Sequence, residues 1–196
     1  MVPGANSELR PAHVDRVLPT LEPSVVLVQM EIPPETVARA AALGQGAGAR
    51  VLLDPAPVPA SLSDALMTNV DLLLPNEGEL ATLTGLPVES VDAAARAAAT
   101  LRCRGVRAVV VKRGSHRALV VDAKSARSVP APRVDVIDTT GAGDCFDGAL
   151  AVALVEGRTL DDAVRFATHA AALACARLGA QSAQPTRAEV ERLCTG

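Results

Sequence analysis

The stretch from Val136 to Gly148 reads V-I-D-T-T-G-A-G-D-C-F-D-G. The β-branched residues Val136 and Ile137 are typical of the end of a strand, whereas Gly141 and Gly143 interrupt regular structure. Helix-forming residues follow Gly143, so the pattern predicts a strand, a glycine turn and the amino end of a helix. Such an end presents unpaired N–H groups and the positive pole of the helix dipole, which together favour an anion.

Asp144 lies in the first turn of this predicted helix, and the candidate N–H donors are its neighbours Gly141, Ala142 and Gly143. This arrangement suits phosphoryl transfer to a hydroxyl group, because amides stabilise the moving phosphoryl group while Asp144 accepts the hydroxyl proton. The alternative is an ordinary glycine-rich turn in which the dipole simply favours an acidic residue. The stretch is not a Walker A loop, because no G-K-[ST] follows the glycines. It is not a dinucleotide fingerprint either, because Asp144 and Cys145 stand where the third glycine would be.

Composition and charge narrow the class of protein. The chain has 196 residues, of which 49% are hydrophobic, so it is long and apolar enough for one folded domain, taken as 1–196. With no Trp or Tyr, only two Phe and a net charge of −3, it lacks the features of a nucleic-acid-binding protein. The four cysteines form no C-x-x-C pair, which favours a reduced, cytoplasmic protein. Cys145, next to the candidate base, is either a packed thiol or a reactive one.

Strands and helices alternate along the chain. Apolar runs at Val25–Gln29, Val51–Asp54, Val70–Leu74 and Ala108–Val111 predict strands that are covered on both faces. The segments between them predict helices, and no apolar run reaches the ~20 residues that a membrane span needs. This alternation predicts an α/β fold: a doubly wound, mostly parallel sheet in a three-layer α/β/α arrangement.

Proline and glycine predict where two of the helices end. A short helix from Pro11 to Leu18 is expected to close at Pro19. A long helix is expected from Leu160 to Leu178, with Gly179 after its end.

The string D-T-T-G-A-G-D-C-F-D-G-A, from Asp138 to Ala149, resembles the second signature of the ribokinase-like (PfkB) carbohydrate kinases. Six further segments resemble that family: G-A-N-S-E-L from Gly4, Q-x-E-x-P around Glu31, D-P-A-P from Asp54, P-N-x-x-E around Asn76, K-R-G-S from Lys112 and G-A-Q from Gly179. The resemblance covers nearly the whole chain. It implies a ribokinase-like fold that lacks the family's amino-terminal strands and lid, so the amino-terminal third is expected to be missing or the start codon to be misassigned.

The resemblance also implies which residues contact the substrates. Asp144 would contact the sugar as well as act as the base, and Glu31 would contact the sugar. From its position alone, Glu31 is instead explained as a solvated acid in a loop or at a helix start. Asn76 would approach the nucleotide phosphates, and Glu79 would hold Mg²⁺ through water, which suits the preference of Mg²⁺ for a few carboxylate ligands and several waters. From the residue alone, Asn76 is equally explained as a helix cap.

The nucleotide and a monovalent cation are implied to bind further segments. The nucleotide loop would comprise Lys112, Arg113, Gly114, Ser115 and Arg117, together with Gly143 and Thr168. The family expects Gly at Arg117 and often Asn at Thr168, and Lys112 and Arg113 either pair with phosphates or are solvated. A site for K⁺ would comprise Asp138 and Thr140 with backbone carbonyls near Ala174, Arg177 and Gly179.

The implied activity is ATP-dependent transfer of the γ-phosphate to a sugar hydroxyl, with ribose as the favoured sugar. The expected partners are Mg²⁺-bound ATP, a small sugar and either a second copy of the chain or a separate amino-terminal polypeptide. Because part of the sugar site is expected to be missing, we expect weak ATP binding and poor phosphorylation of ribose by these 196 residues. The alternative is a non-catalytic nucleotide-binding remnant, or a subunit that a separate amino-terminal chain completes.

Overall fold

The computed structural model describes residues 4–114 and 117–195. The strands are Val25–Gln29 (β1), Arg50–Asp54 (β2), Leu72–Leu73 (β3), Ala108–Val111 (β4), Ala118–Val121 (β5) and Ala126–Val129 (β6). The helices are Pro11–Leu21 (α1), Pro34–Gly46 (α2), Asp64–Met67 (α3), Glu77–Thr84 (α4), Val91–Cys103 (α5), Ala142–Val155 (α6), Leu160–Cys175 (α7) and Arg187–Thr195 (α8). Short 3-10 helices lie at Gly4–Glu8 and Gln181–Ala183.

The chain divides into two compact units. Unit 1 takes the described residues up to Val111 together with Val121–Ala126, and it contains β1–β4 and α1–α5. Unit 2 takes the described residues of Lys112–Val120 and those from Arg127 onward, and it contains most of β5 and β6 with α6–α8.

The strands of unit 1 pair in parallel in the order β1-β2-β3-β4. Val25 of β1 lies opposite Arg50, and Leu72 of β3 lies between Leu52 of β2 and Ala108 of β4. Apart from Arg50, β2 is buried along its whole length, as are β3 and β4. This burial confirms, for β2, β3 and β4, the prediction of parallel strands covered on both faces, which the continuous apolar runs indicated. The prediction is wrong for β1, where only Val26 is buried and Leu27 is 37% exposed.

Small residues let the helices of unit 1 approach this sheet closely. At Gly44 of α2, an added Cβ would lie 2.9 Å from Cγ2 of Val26 and 3.1 Å from Cγ2 of Val51, so any larger residue would force α2 away from the strands. Ala94, Ala97 and Ala98 of α5 are likewise fully buried. Because alanine loses no side-chain entropy on burial, these residues let α5 pack closely at little entropic cost.

In unit 2, α6 and α7 pack against each other. Arg127 of β6, a strand that the sequence did not indicate, donates from Nε to Oδ1 of Asp161 on α7 at 2.8 Å. Arg177 beyond α7 pairs with Glu189 of α8. Helix α7, against which the Asp144-bearing helix α6 packs, is thus itself held to β6, and the segment after it is held to α8.

Two predicted helix ends differ from the structure. Helix α1 continues through Pro19 to Leu21, because the packing of α1 against α2 outweighs the lost backbone hydrogen bond and the clash of the proline ring with the preceding turn. The chain leaves α1 at Glu22, which has a φ of 44°. Helix α7 ends at Cys175 instead of Leu178.

The predicted strand before the glycine turn is wrong. Val136 and Ile137 belong to no strand, and their side chains are 60% and 65% exposed. The N–H groups of Ile137 and Asp138 donate instead to the carbonyl of Cys175, at 2.8 and 3.2 Å. The end of α7 therefore supplies the acceptor that a neighbouring strand would otherwise provide.

Candidate active site

The turn at the amino end of α6 depends on a glycine in the left-handed backbone conformation. Gly141 precedes the helix with a φ of 73°, and its carbonyl accepts from Cys145 at 2.9 Å. The N–H of Ala142 donates to the Thr139 carbonyl at 3.2 Å, so the turn itself uses this amide, and its contact with an anion stays a prediction. Among the backbone carbonyls of residues 4–114 and 117–195, none accepts from the Gly143 N–H. The Gly143 amide therefore suits an anion.

Asp144 lies in the first turn of α6 and is exposed, while the next two residues, Cys145 and Phe146, are 7% and 4% exposed. The helix thus directs the carboxylate outward at its positive end and the next two side chains into the core. Burial raises the pKa of the Cys145 thiol to about 11. The thiol is therefore protonated at neutral pH, which favours the packed interpretation over the reactive one.

Lys112, which follows β4 directly, forms an ion pair with Asp147 of α6. Its Nζ lies 3.1 Å from Oδ2 of Asp147, and the two side chains are 15% and 2% exposed. The same Nζ lies 3.8 Å from the position that a Cβ on Gly143 would take. Arg113 is also buried, at 7% exposed, so the interpretation of both basic residues as solvated is wrong.

Sequence reasoning missed Asp147. The available signal was an acidic residue four positions after Gly143, on the same helical face, in a segment whose neighbours are apolar. A buried carboxylate in such a place requires a cation, and the partner lies 35 residues earlier in the chain.

Asp138 joins the glycine turn to the segment after α7. Its Oδ1 accepts from the Thr140 amide at 2.9 Å and from the Thr140 hydroxyl at 2.7 Å, and its Oδ2 accepts from the Gly179 amide at 3.0 Å. These hydrogen bonds, first that of the Thr140 hydroxyl, lower the pKa of Asp138. Gly179 has a φ of 104°, and a Cβ there would lie 2.3 Å from Oγ of Ser182. Three members of the predicted cation site therefore lie together.

The other two members of the predicted cation site, Ala174 and Arg177, form hydrogen bonds at the end of α7 and with α8. The carbonyl of Ala174 accepts from the Arg177 amide at 3.2 Å, and the Arg177 guanidinium donates to Glu189 at 2.5 Å. Within the described ranges, no group of three or more His, Cys, Asp or Glu side chains lies close enough to hold a metal ion. The K⁺ site stays a prediction.

In unit 1, Asn76 and Glu79 form a reciprocal cap at the start of α4. The Asn76 amide donates to Oε2 of Glu79 at 2.8 Å, and the Glu79 amide donates to Oδ1 of Asn76 at 2.8 Å. The side chains also meet directly, with Nδ2 of Asn76 2.7 Å from Oε1 of Glu79. The capping interpretation is therefore confirmed, and the phosphate and Mg²⁺ roles stay predictions.

Glu31 lies in the turn after β1, where Met30 donates to the Ala56 carbonyl at 2.9 Å. It is exposed and lines a largely apolar groove of about 520 Å³ in unit 1, which Gln29 and His13 also line. Glu31 is thus placed at the carboxyl end of a parallel strand, as the sequence predicted.

The predicted nucleotide loop is described only in part. Gly114 has a φ of 55°, and Ser115 lies outside the described residues. Arg117, where the resemblance led us to expect glycine, has a φ of 118°, a conformation that glycine adopts far more readily. Thr168 is 7% exposed and its hydroxyl donates to the Val164 carbonyl at 2.7 Å, and its contact with a nucleotide stays a prediction.

Comparison with known proteins identifies the family of this chain. The family model described as pfkB family carbohydrate kinase matches residues 1–187. The chain belongs to this family. Among relatives, ribokinase of Haemophilus influenzae is 37% identical over 187 residues, which are 95% of this chain and 61% of that protein.

Two solved ribokinases share the fold. That of Thermotoga maritima is 37% identical, with a TM-score of 0.89 over 100% of this chain and 64% of its own. That of Arabidopsis thaliana, complexed with ribose and ATP, is 37% identical, with a TM-score of 0.83 over 87% of this chain and 55% of its own.

These comparisons confirm the predicted ribokinase-like α/β fold class and the predicted family. The chain spans about 61% of the length of the Haemophilus relative. No helix among the described residues is long and apolar enough to cross a membrane.

Proposed function

We propose that this chain carries the phosphoryl-transfer machinery of an ATP-dependent sugar kinase, which moves the γ-phosphate of ATP to a sugar hydroxyl. The observation that supports this proposal best is the amino end of α6. There the Gly143 amide has no carbonyl partner among the described backbone groups, Lys112 lies close by and Asp144 is exposed. An amide, a cation and a carboxylate at one helix end match the needs of phosphoryl transfer to an alcohol.

Each residue has a distinct part in this proposal. The Gly143 amide and the Lys112 ammonium stabilise negative charge on the phosphoryl oxygens, which in such sites contributes roughly 3–4 kcal/mol per donor. Asp144 accepts the proton of the attacking hydroxyl, a role worth ~10²–10⁴-fold in rate. Glu31 contacts the sugar, and the hydrogen bonds of Asp138 keep the turn before α6 in place.

Mg²⁺ would neutralise charge on the ATP phosphates when it is bound. The donors proposed to hold it are the Glu79 carboxylate, through water, and the neighbouring Asn76, whose oxygen-rich chemistry suits a hard cation. Both residues are already oriented by their mutual cap. K⁺ near Asp138 and Thr140 is the second ion that we propose.

Ribose is the proposed sugar. The segments around Gly4, Glu31 and Gly179 resemble ribokinase, and the Arabidopsis relative binds ribose and ATP. The test measures ADP release by this chain with Mg-ATP and ribose, with 2-deoxyribose and fructose as competing sugars. Calorimetry with Mg-ATP alone measures the nucleotide site. Binding of Mg-ATP with slow turnover that prefers ribose is expected, whereas the absence of Mg-ATP binding would remove the proposal.

A second candidate is a nucleotide-binding subunit that needs a separate amino-terminal polypeptide. It is favoured by the groove of unit 1, near which Val17 and Leu21 of α1 are 45% and 64% exposed and Leu27 of β1 is 37% exposed. Contiguous apolar surface of this kind is typical of a binding interface. Mg-ATP binding without any turnover, with turnover restored by the amino-terminal third of a ribokinase added in trans, would favour this candidate.

A further inference from the structure

We infer that Asp147 is a positioning residue, which holds the Lys112 ammonium at the amino end of α6 so that it meets the phosphate groups of the nucleotide. This inference rests on the proposed kinase function and deepens it. Asp147 itself touches no substrate in this account, because its side chain is only 2% exposed.

The geometry of α6 carries the first step. Gly143 lies in the first turn and Asp147 lies four residues later, so both face the same side of the helix. Lys112 lies against that side: its Nζ is 3.1 and 3.4 Å from the two carboxylate oxygens of Asp147, and 3.8 Å from the point where a Gly143 Cβ would lie. One helix therefore provides an anchor for the ammonium group and an amide beside it.

The Lys112–Asp147 ion pair is largely buried, which is the second observation behind this inference. Replacing a buried ion pair by apolar residues is often neutral or stabilising, so such a pair is weak evidence for a purely structural role. A lysine side chain has high rotamer entropy, and an anchored ammonium has already lost that freedom before a ligand arrives. Preorganisation of this kind strengthens binding and transition-state stabilisation without any new contact.

The test uses the fact that the chain has two lysines, Lys112 and Lys124. Mg-ATP affinity is measured by calorimetry for the wild type, Asp147→Asn, Lys112→Met and the double variant, and folding is checked by thermal unfolding. We expect each single variant to weaken Mg-ATP binding about tenfold or more, and the double variant to bind no more weakly than Lys112→Met. Such non-additivity shows that Asp147 acts through Lys112.

Acetylation provides a second readout that a merely structural role would not change. In the wild type, Mg-ATP should protect Lys112 from acetic anhydride and leave the exposed Lys124 unprotected. In Asp147→Asn, Lys112 should be acetylated faster and protected less. Should Asp147→Asn fail to fold, Asp147→Glu replaces it. The glutamate keeps the negative charge, and its extra methylene displaces the Lys112 ammonium.

The outcomes separate the two proposals. Mg-ATP binding by the wild type together with an unchanged affinity in the folded Asp147 variant overturns this inference alone. An effect of Asp147→Asn that persists in full in the Lys112→Met background overturns it as well. No binding of Mg-ATP or inorganic pyrophosphate by the wild type overturns both the inference and the proposed function.

Discussion

Gly143→Ala should make the protein more stable and at the same time impair its nucleotide site. The new Cβ would meet no atom closer than Nζ of Lys112 at 3.8 Å, which is an ordinary van der Waals contact, so the folded chain accommodates it. Replacing glycine by alanine within a helix stabilises by roughly 0.5–1 kcal/mol. We therefore expect a small rise in melting temperature.

The same methyl group would stand beside the amide that we propose to contact a phosphate oxygen. Loss of one hydrogen bond to a charged group costs about 1.5–3 kcal/mol, and each 1.4 kcal/mol corresponds to roughly tenfold in affinity. Mg-ATP should therefore bind about 10–100-fold more weakly to Gly143→Ala than to the wild type. Calorimetry with Mg-ATP measures this affinity directly, and thermal unfolding without ligand measures the stability.

Gly148→Ala is the matched control, since Gly148 lies in the same helix and a Cβ there would meet nothing within 4 Å. The Gly148→Ala variant should be stabilised by a similar amount to Gly143→Ala, and it should bind Mg-ATP with the affinity of the wild type. If Gly143→Ala bound Mg-ATP within twofold of Gly148→Ala, the Gly143 amide would not face the phosphate and the reasoning would be refuted.

Three further predictions concern a base, a loop and a helix. Asp144→Asn keeps the shape of the side chain and removes its basicity, so in a full-length enzyme kcat for ribose should fall ~10²–10⁴-fold; a loss below tenfold would contradict its role as base. Arg117→Gly should raise the free energy of unfolding by about 1 kcal/mol or more, because it relieves a φ of 118°; denaturant unfolding that shows no gain would contradict this strain. The Arg177 guanidinium, followed by hydrogen bonds from Thr186, lowers the pKa of Glu189 from 4.5 to about 2. The stabilisation by Glu189 should therefore be complete above pH 4.5 and disappear as the pH falls towards 2, and thermal unfolding of Glu189→Gln, which lacks this titration, should lose the wild type's extra pH dependence in that window.

Much of the site could be predicted because it depends on short stretches of chain. The glycine turn before α6, the place of Asp144 in its first turn and the cap of α4 by Asn76 each involve residues within four positions of one another. Thr168 shows the limit of such reasoning. Its position along α7 was correct, but the orientation of that helix buries it and leaves its hydroxyl bonded to Val164.

The sequence by itself determined the α/β alternation, the family and the glycine turn that begins α6, because hydrophobic periodicity, backbone freedom and helix capping are properties of neighbouring residues. Only the tertiary structure decided that Lys112 pairs with Asp147, and that Ile137 donates to the end of α7 instead of a neighbouring strand. The first of these contacts joins residues 35 positions apart, and the second joins the segment before α6 to the last residue of α7. Such contacts depend on how helices and strands pack, and the packing places a buried charge or amide beside a partner that no local pattern specifies.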